Sequence, residues 1–194
     1  MAVPTTEFTA HLTDIPGLLI FDVTSIGDER GWFQEKFHKK KLVDAGLPKD
    51  FQVVQTNVSY NKGRGIARGL HAEPWEKYIS VVRGRAFVAY VDLRAGDNFG
   101  KVVTLEVNNN KAVFVPLGVA NSYLTLDEDT YYIYSVTAHW SQEFYDKYIS
   151  VNMADPVLNI EWPIAIEKAV VSERDRNHPF LKDIQSMEAN NGRQ

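Results

Sequence analysis

The run of short β-branched and aromatic segments that begins at Phe51 constrains this chain more than any other feature. FQVVQTNVSY, YISVV, RAFVAYVDLR, KVVTLEV, KAVFVP, LGVANSYLTL and TYYIYSVTAHW follow one another, separated by NKGRG, RG, AGDNFG, NNN and DED. Segments this short, fairly evenly spaced and punctuated by Gly, Asn and Asp, predict an antiparallel sandwich or barrel, and no strand-helix-strand rhythm competes with that reading. VVRGRAF and VNNNKAV each predict a tight hairpin between adjacent strands, because Gly and Asn tolerate the positive φ of short β-turns. The main helix is expected in KFHKKKLVDAGL, ended by Gly46 and Pro48, with a short second one near Ile164 to Val170 after Trp162 and Pro163. Helices are therefore peripheral and the fold class is mainly β.

A chain of 194 residues fits one domain with a sizeable core, and no internal boundary is visible, so 1–194 is read as a single domain whose polar tail SMEANNGRQ is expected to fray. With 21 Lys plus Arg against 25 Asp plus Glu, the net charge of -4 offers no basic footprint for nucleic acid, although local arginines leave room for a small anionic ligand. Cysteine is absent, which excludes disulfides, thiolate catalysis and Cys-ligated zinc and fits a reducing compartment; cytoplasm is the expectation. The N-terminus lacks a basic region followed by an apolar run, and no segment approaches the roughly 20 apolar residues of a membrane helix, so neither export by such a signal nor a membrane span is expected.

Within TYYIYSVTAHW, strand alternation puts Tyr132, Tyr134 and Val136 on one face and Tyr131, Ile133 and Ser135 on the other. A phenol carried inside is either a core aromatic with a satisfied hydroxyl or a weak acid able to deliver a proton beside a transient anion. His71, in RGLHAEPWEKY, stands between Arg68 and Lys77; this is a base beside an anion site, or a structural or solvated loop histidine. Glu73 and Glu76 follow it without the second histidine of a cupin metal site. His11, His38, His139 and His178 show no ligand spacing with one another or with His71, so no metal is expected. Arg30 and Glu35 surround Trp32 and Phe33; Arg30 and Arg68 are planar donors suited to phosphate, or ordinary surface charge. Gln55 and Asn57 share a strand face and suit a base or sugar edge, as they suit any half-exposed strand.

Taken together and in order, GDERGWFQE, VQTNVS, ARGLHAEPWEKYISVVRG, YVDLRAGDNFGK, VPLGVANSYLTL, YYIYSVT, ADPVLNIEWP and VSERDRNHP resemble the dTDP-4-dehydrorhamnose 3,5-epimerase family from about Pro16 to Asp183. The resemblance implies a cupin-like jelly roll that forms a homodimer, needs no metal or cofactor, and takes a dTDP-4-keto-6-deoxy sugar. It implies that His71 removes the proton α to the ketone, that Asp175 of SERD is its dyad partner, and that Lys77 supplies positive charge for the enolate. Tyr134 is then the proton donor on the opposite ring face. By the same resemblance Arg30, Glu35, Gln55, Asn57, Arg68 and Arg174 bind the nucleotide, and Trp140 stacks on thymine. Two positions depart from the family pattern: Asn121 stands where many members carry histidine, and Tyr145 where an acidic residue is usual. Asn121 still hydrogen-bonds substrate but carries no proton, which leaves room for inversion at one carbon. The expectation is a 3,5-epimerase, with a C3-only or C5-only epimerase or a silent sugar-nucleotide-binding cupin as alternatives.

Overall fold

Alternation sorts each strand into two faces, and in the central strands both are buried, which explains why segments such as YISVV read as continuous apolar runs. A computed structural model describes residues 4–184; the tail segment expected to fray lies outside the described residues. The strands are β1 (Phe8–Leu12), β2 (Leu19–Val23), β3 (Ile26–Asp28), β4 (Gly31–Phe33), β5 (Gln55–Asn61), β6 (Ala67–Ala72), β7 (Lys77–Arg83), β8 (Ala86–Asp92), β9 (Val102–Val107), β10 (Lys111–Val115), β11 (Val119–Thr125), β12 (Thr130–Val136) and β13 (Ile149–Ser150). Three short helices, α1 (Lys39–Ala45), α2 (Gln142–Tyr145) and α3 (Glu173–Arg176), and two 3-10 turns, Ile166–Lys168 and Leu181–Asp183, complete the described chain.

The strands form a six-stranded sheet in the order β1-β2-β10-β7-β12-β5, a five-stranded sheet in the order β13-β6-β11-β8-β9, and the small β3-β4 ribbon. Every strand pairing is antiparallel, giving a cupin-like jelly roll. Ile79, Val81, Val113 and Tyr132 of the larger sheet pack with Val88, Tyr90, Val119 and Tyr123 of the smaller one. The β2-β10-β7 part of the larger sheet's outer face is covered by α1 and its flanks, through Leu42, Leu47 and Phe51 against Phe21, Tyr78 and Phe114. The outer face of the smaller sheet is closed by the C-terminal segment, through Val151, Met153, Leu158, Ile166 and Leu181.

The two hairpins expected from VVRGRAF and VNNNKAV do not form. β7 pairs with β10 and β12, whereas β8 pairs with β11 and β9; β9 and β10 likewise fall in different sheets. Both turns reverse the chain but carry it from one sheet to the other. Turn chemistry specifies the reversal, and the partner is chosen by which faces must be buried together. The expected main helix does form: His38 caps the N-terminus of α1 through Nδ1, which accepts the Lys41 N–H at 3.4 Å, and Gly46 at φ 123° closes it. Between Ile164 and Val170 only the 3-10 turn Ile166–Lys168 appears, too short to be an α-helix.

Candidate active site

One end of the sandwich holds a cavity of about 270 Å³ whose wall includes His71, Lys77, Asn121, Tyr134, Arg68, Glu73, Tyr123, Trp140, Tyr148 and Arg174. A departure from regular pairing on β6 points its functional residues inward. Asn121 pairs with His71 and Tyr123 with Arg68, so β6 carries one more residue than β11 between these two pairs, a bulge centred on Gly69 and Leu70. Ala67, Leu70 and Ala72 therefore face the outer core while both Arg68 and His71 line the cavity. Gly69 allows the bulge: its φ is 122°, and a Cβ there would lie 2.6 Å from Ser122 Cβ and 2.8 Å from the Asn121 carbonyl oxygen.

His71 Nε2 lies 2.9 Å from Asp175 Oδ1, a contact spanning 104 residues. Asp175 sits in α3, where Ser172 caps the helix by accepting the Asp175 N–H at 3.1 Å. Burial pushes the Asp175 carboxyl up, but the hydrogen bond and charge of His71, the Gly69 N–H and the His178 ring outweigh it and hold the group down to about 2. An ionised carboxylate only accepts, so His71 carries its proton on Nε2 and presents an Nδ1 lone pair.

Lys77 enters from β7 in the opposite sheet, with Ile79 and Val81 on its strand face. Its ammonium is ion-paired with Glu73 and donates to the Asn121 side-chain oxygen. Burial pushes Lys77 down to about 7. Tyr134, on β12 of that same sheet, faces the cavity beside Tyr132 and directly opposite Asn57 in register. Burial, aided by neighbouring Tyr123, pushes its phenol up, and Arg68 partly offsets that.

Trp140, Tyr145 and Tyr148 form an aromatic wall, with ring centroids 6.4 Å and 5.2 Å apart in succession. The Arg174 guanidinium lies 4.1 Å from the Tyr145 ring centroid. Trp140 is about half exposed at the cavity wall, and its backbone N–H donates to Gln55 Oε1 at 3.0 Å. Gln55 in turn donates to Asn57 Oδ1 at 2.8 Å, so these amides flank the cavity on β5 without lining it.

Of the residues singled out in the sequence, His71, Lys77, Asn121, Tyr134, Trp140, Arg68 and Arg174 thus line one cavity, with Asp175 behind His71. Arg30 and Glu35 do not join them. Arg30 pairs with Asp28 and is largely exposed, and Glu35 pairs with Lys41 at 2.5 Å. Tyr123 and Tyr148 also line the cavity, and Glu73 and His178, to which sequence spacing alone assigned no role, join the site. His178 is joined to the dyad, its Nε2 lying 3.1 Å from Asp175 Oδ1 and 3.4 Å from His71 Nε2. Its spacing of three from Asp175, and that of Glu73 four before Lys77, were the available signals.

A jelly-roll barrel whose mouth sets a histidine-aspartate dyad across from a lysine and a phenol defines a cupin-like acid-base enzyme. The chain belongs to the dTDP-4-dehydrorhamnose 3,5-epimerase family, whose model matches residues 12–183. It is similar to the RmlC homolog of Streptococcus pyogenes serotype M6, 45% identical over 91% of each chain. Two further relatives are each 34% identical: a dTDP-4-dehydrorhamnose 3,5-epimerase of Methanothermobacter thermautotrophicus, covering 91% of this chain and 96% of that one, and a dTDP-4-dehydro-6-deoxyglucose 3-epimerase of a Streptomyces species, covering 88% of each. The solved structure of RmlC from Streptococcus suis in complex with dTDP-D-xylose superposes with a TM-score of 0.89 at 44% identity, over 94% of this chain and 95% of that chain.

Proposed function

We propose that this protein is a cofactor-independent isomerase that inverts C3 and C5 of dTDP-4-dehydro-6-deoxyglucose, giving the dTDP-4-dehydro-rhamnose used in dTDP-rhamnose biosynthesis. One observation carries the reading: His71 and Tyr134 face a single cavity from opposed sheets, and Lys77, on the strand beside that of Tyr134, lines the same cavity. His71 Nδ1 takes the proton from the carbon beside the C4 ketone, and the C–H electron pair moves into the enolate. The ketone oxygen then bears the charge, which the Lys77 ammonium stabilises in a site shielded from water. Asp175 accepts from His71 Nε2–H and stabilises the imidazolium as it forms. The Tyr134 hydroxyl delivers a proton to the other face, and inversion results. C3 and C5 flank the same ketone, so one set of groups serves both.

Arg68 and Arg174 sit where they can meet the diphosphate, and the exposed Trp140 face suits a pyrimidine ring. The working form is a homodimer in the cytoplasm. Arg30 and Glu35 stand away from their own chain's cavity, so a second copy is needed to bring them to it. Among the described residues no helix is long and apolar enough to cross a membrane. A single-carbon epimerase is the second reading, favoured by Asn121, which occupies the wall directly across the strand pair from His71 and titrates no proton.

The test is proton NMR of dTDP-4-dehydro-6-deoxyglucose with the pure protein in heavy water. Deuterium at C3 and C5 with the rhamno product is expected, whereas deuterium at one carbon selects the second reading. His71→Ala abolishes exchange; Tyr134→Phe retains part of it and loses inversion. Equal loss of both in Tyr134→Phe would overturn the two-face assignment.

A further inference from the structure

We infer that His71, Asp175 and His178 form a binding site for a divalent transition-metal ion, zinc being the fitting probe, and that zinc bound there inhibits the enzyme. The inhibition half rests on the assignment of His71 as the base; the binding half does not. The argument begins with three donor atoms. His71 Nε2 stands 2.9 Å from Asp175 Oδ1, His178 Nε2 stands 3.1 Å from that same oxygen, and the two ring nitrogens are 3.4 Å apart. With zinc bonds of about 2.0–2.1 Å, neighbouring donors of a tetrahedral centre lie roughly 3.3–3.4 Å apart, so this triangle closes on an ion with only small shifts.

All three donors converge on a single point. Asp175 has two carboxylate oxygens, yet both histidines converge on Oδ1, while Oδ2 receives the Gly69 N–H at 3.4 Å. One oxygen with two lone pairs accepts both N–H groups in the metal-free protein, and the same convergence lets two imidazole lone pairs and the carboxylate meet on one cation. Two imidazoles and one carboxylate are a donor set that zinc takes readily, with a fourth position left for water. The side chains are only 22%, 8% and 9% exposed for His71, Asp175 and His178, so the donors are held rather than free to scatter. His178 also borders a second cavity of about 500 Å³, lined with Ser150, Asn177 and Pro179, which gives an ion a path that does not cross the substrate cavity. Arg174 borders both cavities and is the charge that opposes a cation here.

Inhibition follows from the proton positions. An imidazole that binds zinc through Nε2 carries its proton on Nδ1. In the metal-free dyad Nε2–H faces Asp175 and Nδ1 is bare, so zinc moves the His71 proton onto the atom that must accept one from substrate. It also takes Asp175 away from the imidazolium that catalysis forms. No proton is gained or lost in the exchange; the ring changes tautomer and ceases to be a base.

The experiment uses untagged, chelator-stripped protein. Cobalt(II) titration, followed by its visible ligand-field bands, reads the site directly, and zinc displacement gives the affinity. One ion per chain is expected, and His178→Ala and the volume-conserving His178→Gln should each weaken binding by more than the roughly 10–100-fold typical of losing a group outside the ligand set. Circular dichroism establishes that both variants fold. Turnover with and without zinc is then compared, with inhibition tracking occupancy and reversing on adding EDTA. No cobalt bands, or an affinity untouched in both His178 variants, would overturn the site. Site occupancy with unchanged or increased turnover would overturn the inhibition. If stripped protein fails to turn the substrate over at all, the proposed function falls while the cobalt titration still decides the site.

Discussion

At the scale of single residues the site is an arrangement of charges whose values are set by what surrounds them. Asp175 is held down to about 2 although burial opposes it, so it remains an acceptor throughout the working range. Asp175→Asn keeps the shape but permits the wrong His71 tautomer, and kcat should fall by about 10²–10⁴-fold with little change in KM. The same depressed pKa gives a stability prediction. The contribution is present above the unfolded value of about 3.9 and is lost as pH falls from there toward about 2. Urea midpoints of wild type and Asp175→Asn should therefore converge across that window. Lys77 works the other way: burial pushes it down to about 7, so the cation proposed to stabilise the enolate is lost as pH rises. In Glu73→Gln the paired anion is gone, and the alkaline limb of kcat/KM should move to lower pH. A limb that stays in place would show that Glu73 does not hold the Lys77 charge.

At the scale of elements, the decisive device is the β6 bulge. Without it, Arg68 and His71, three apart, would face opposite sides of the sheet. Gly69→Ala places a methyl against Ser122 and the Asn121 carbonyl at a φ that L-residues avoid. A loss of about 2 kcal/mol or more in denaturant-derived stability is expected, with a larger fall in turnover than a surface substitution of that cost would produce. Helix α3 plays the complementary part, because its Ser172 cap and the Asp175 carboxylate use separate atoms of one short turn. The backbone N–H of Asp175 is tied to the cap, and the side chain is free for the histidines.

At the scale of the whole molecule, α1 and its flanks cover only part of the outer face of the larger sheet. Val58, Tyr60, Val82 and Tyr131 remain substantially exposed on its β5-β12-β7 side, with Tyr60 and Tyr131 ring centroids 4.9 Å apart. An apolar patch at a sheet edge is a natural seat for a second copy, and β5 has an unpaired edge there. Val58→Asp should shift the protein from dimer to monomer in sedimentation equilibrium. It should also raise KM more than it lowers kcat under the proposal that a second copy brings Arg30 and Glu35 to the cavity. A monomeric wild type would refute the dimer, and a dimer that survives Val58→Asp would move the interface elsewhere.

Much was readable from the chain alone, for definite reasons. Short alternating runs specify β-strands wherever a face must be buried, and Tyr132 and Tyr134, which alternation puts on one face, both turn inward. Gly46 ended α1 because a left-handed residue is needed there. His71, Lys77, Tyr134 and Asp175 could be singled out because RGLH, the lysine six residues on, YYIYSVT and SERD resemble the family's pattern in order, and the fold gathers the four at one cavity. What the sequence could not decide was partnership across distance. Glycine and asparagine turns mark where the chain reverses, but packing both faces of each sheet determined that β7 and β8, and β9 and β10, part into different sheets. His178 looked unattached because its neighbours His71 and Asp175 are 107 and 3 residues away, and only the tertiary fold brings all three donors onto one point. Local chemistry is written in the order of residues; convergence of distant groups is a property of the packed barrel.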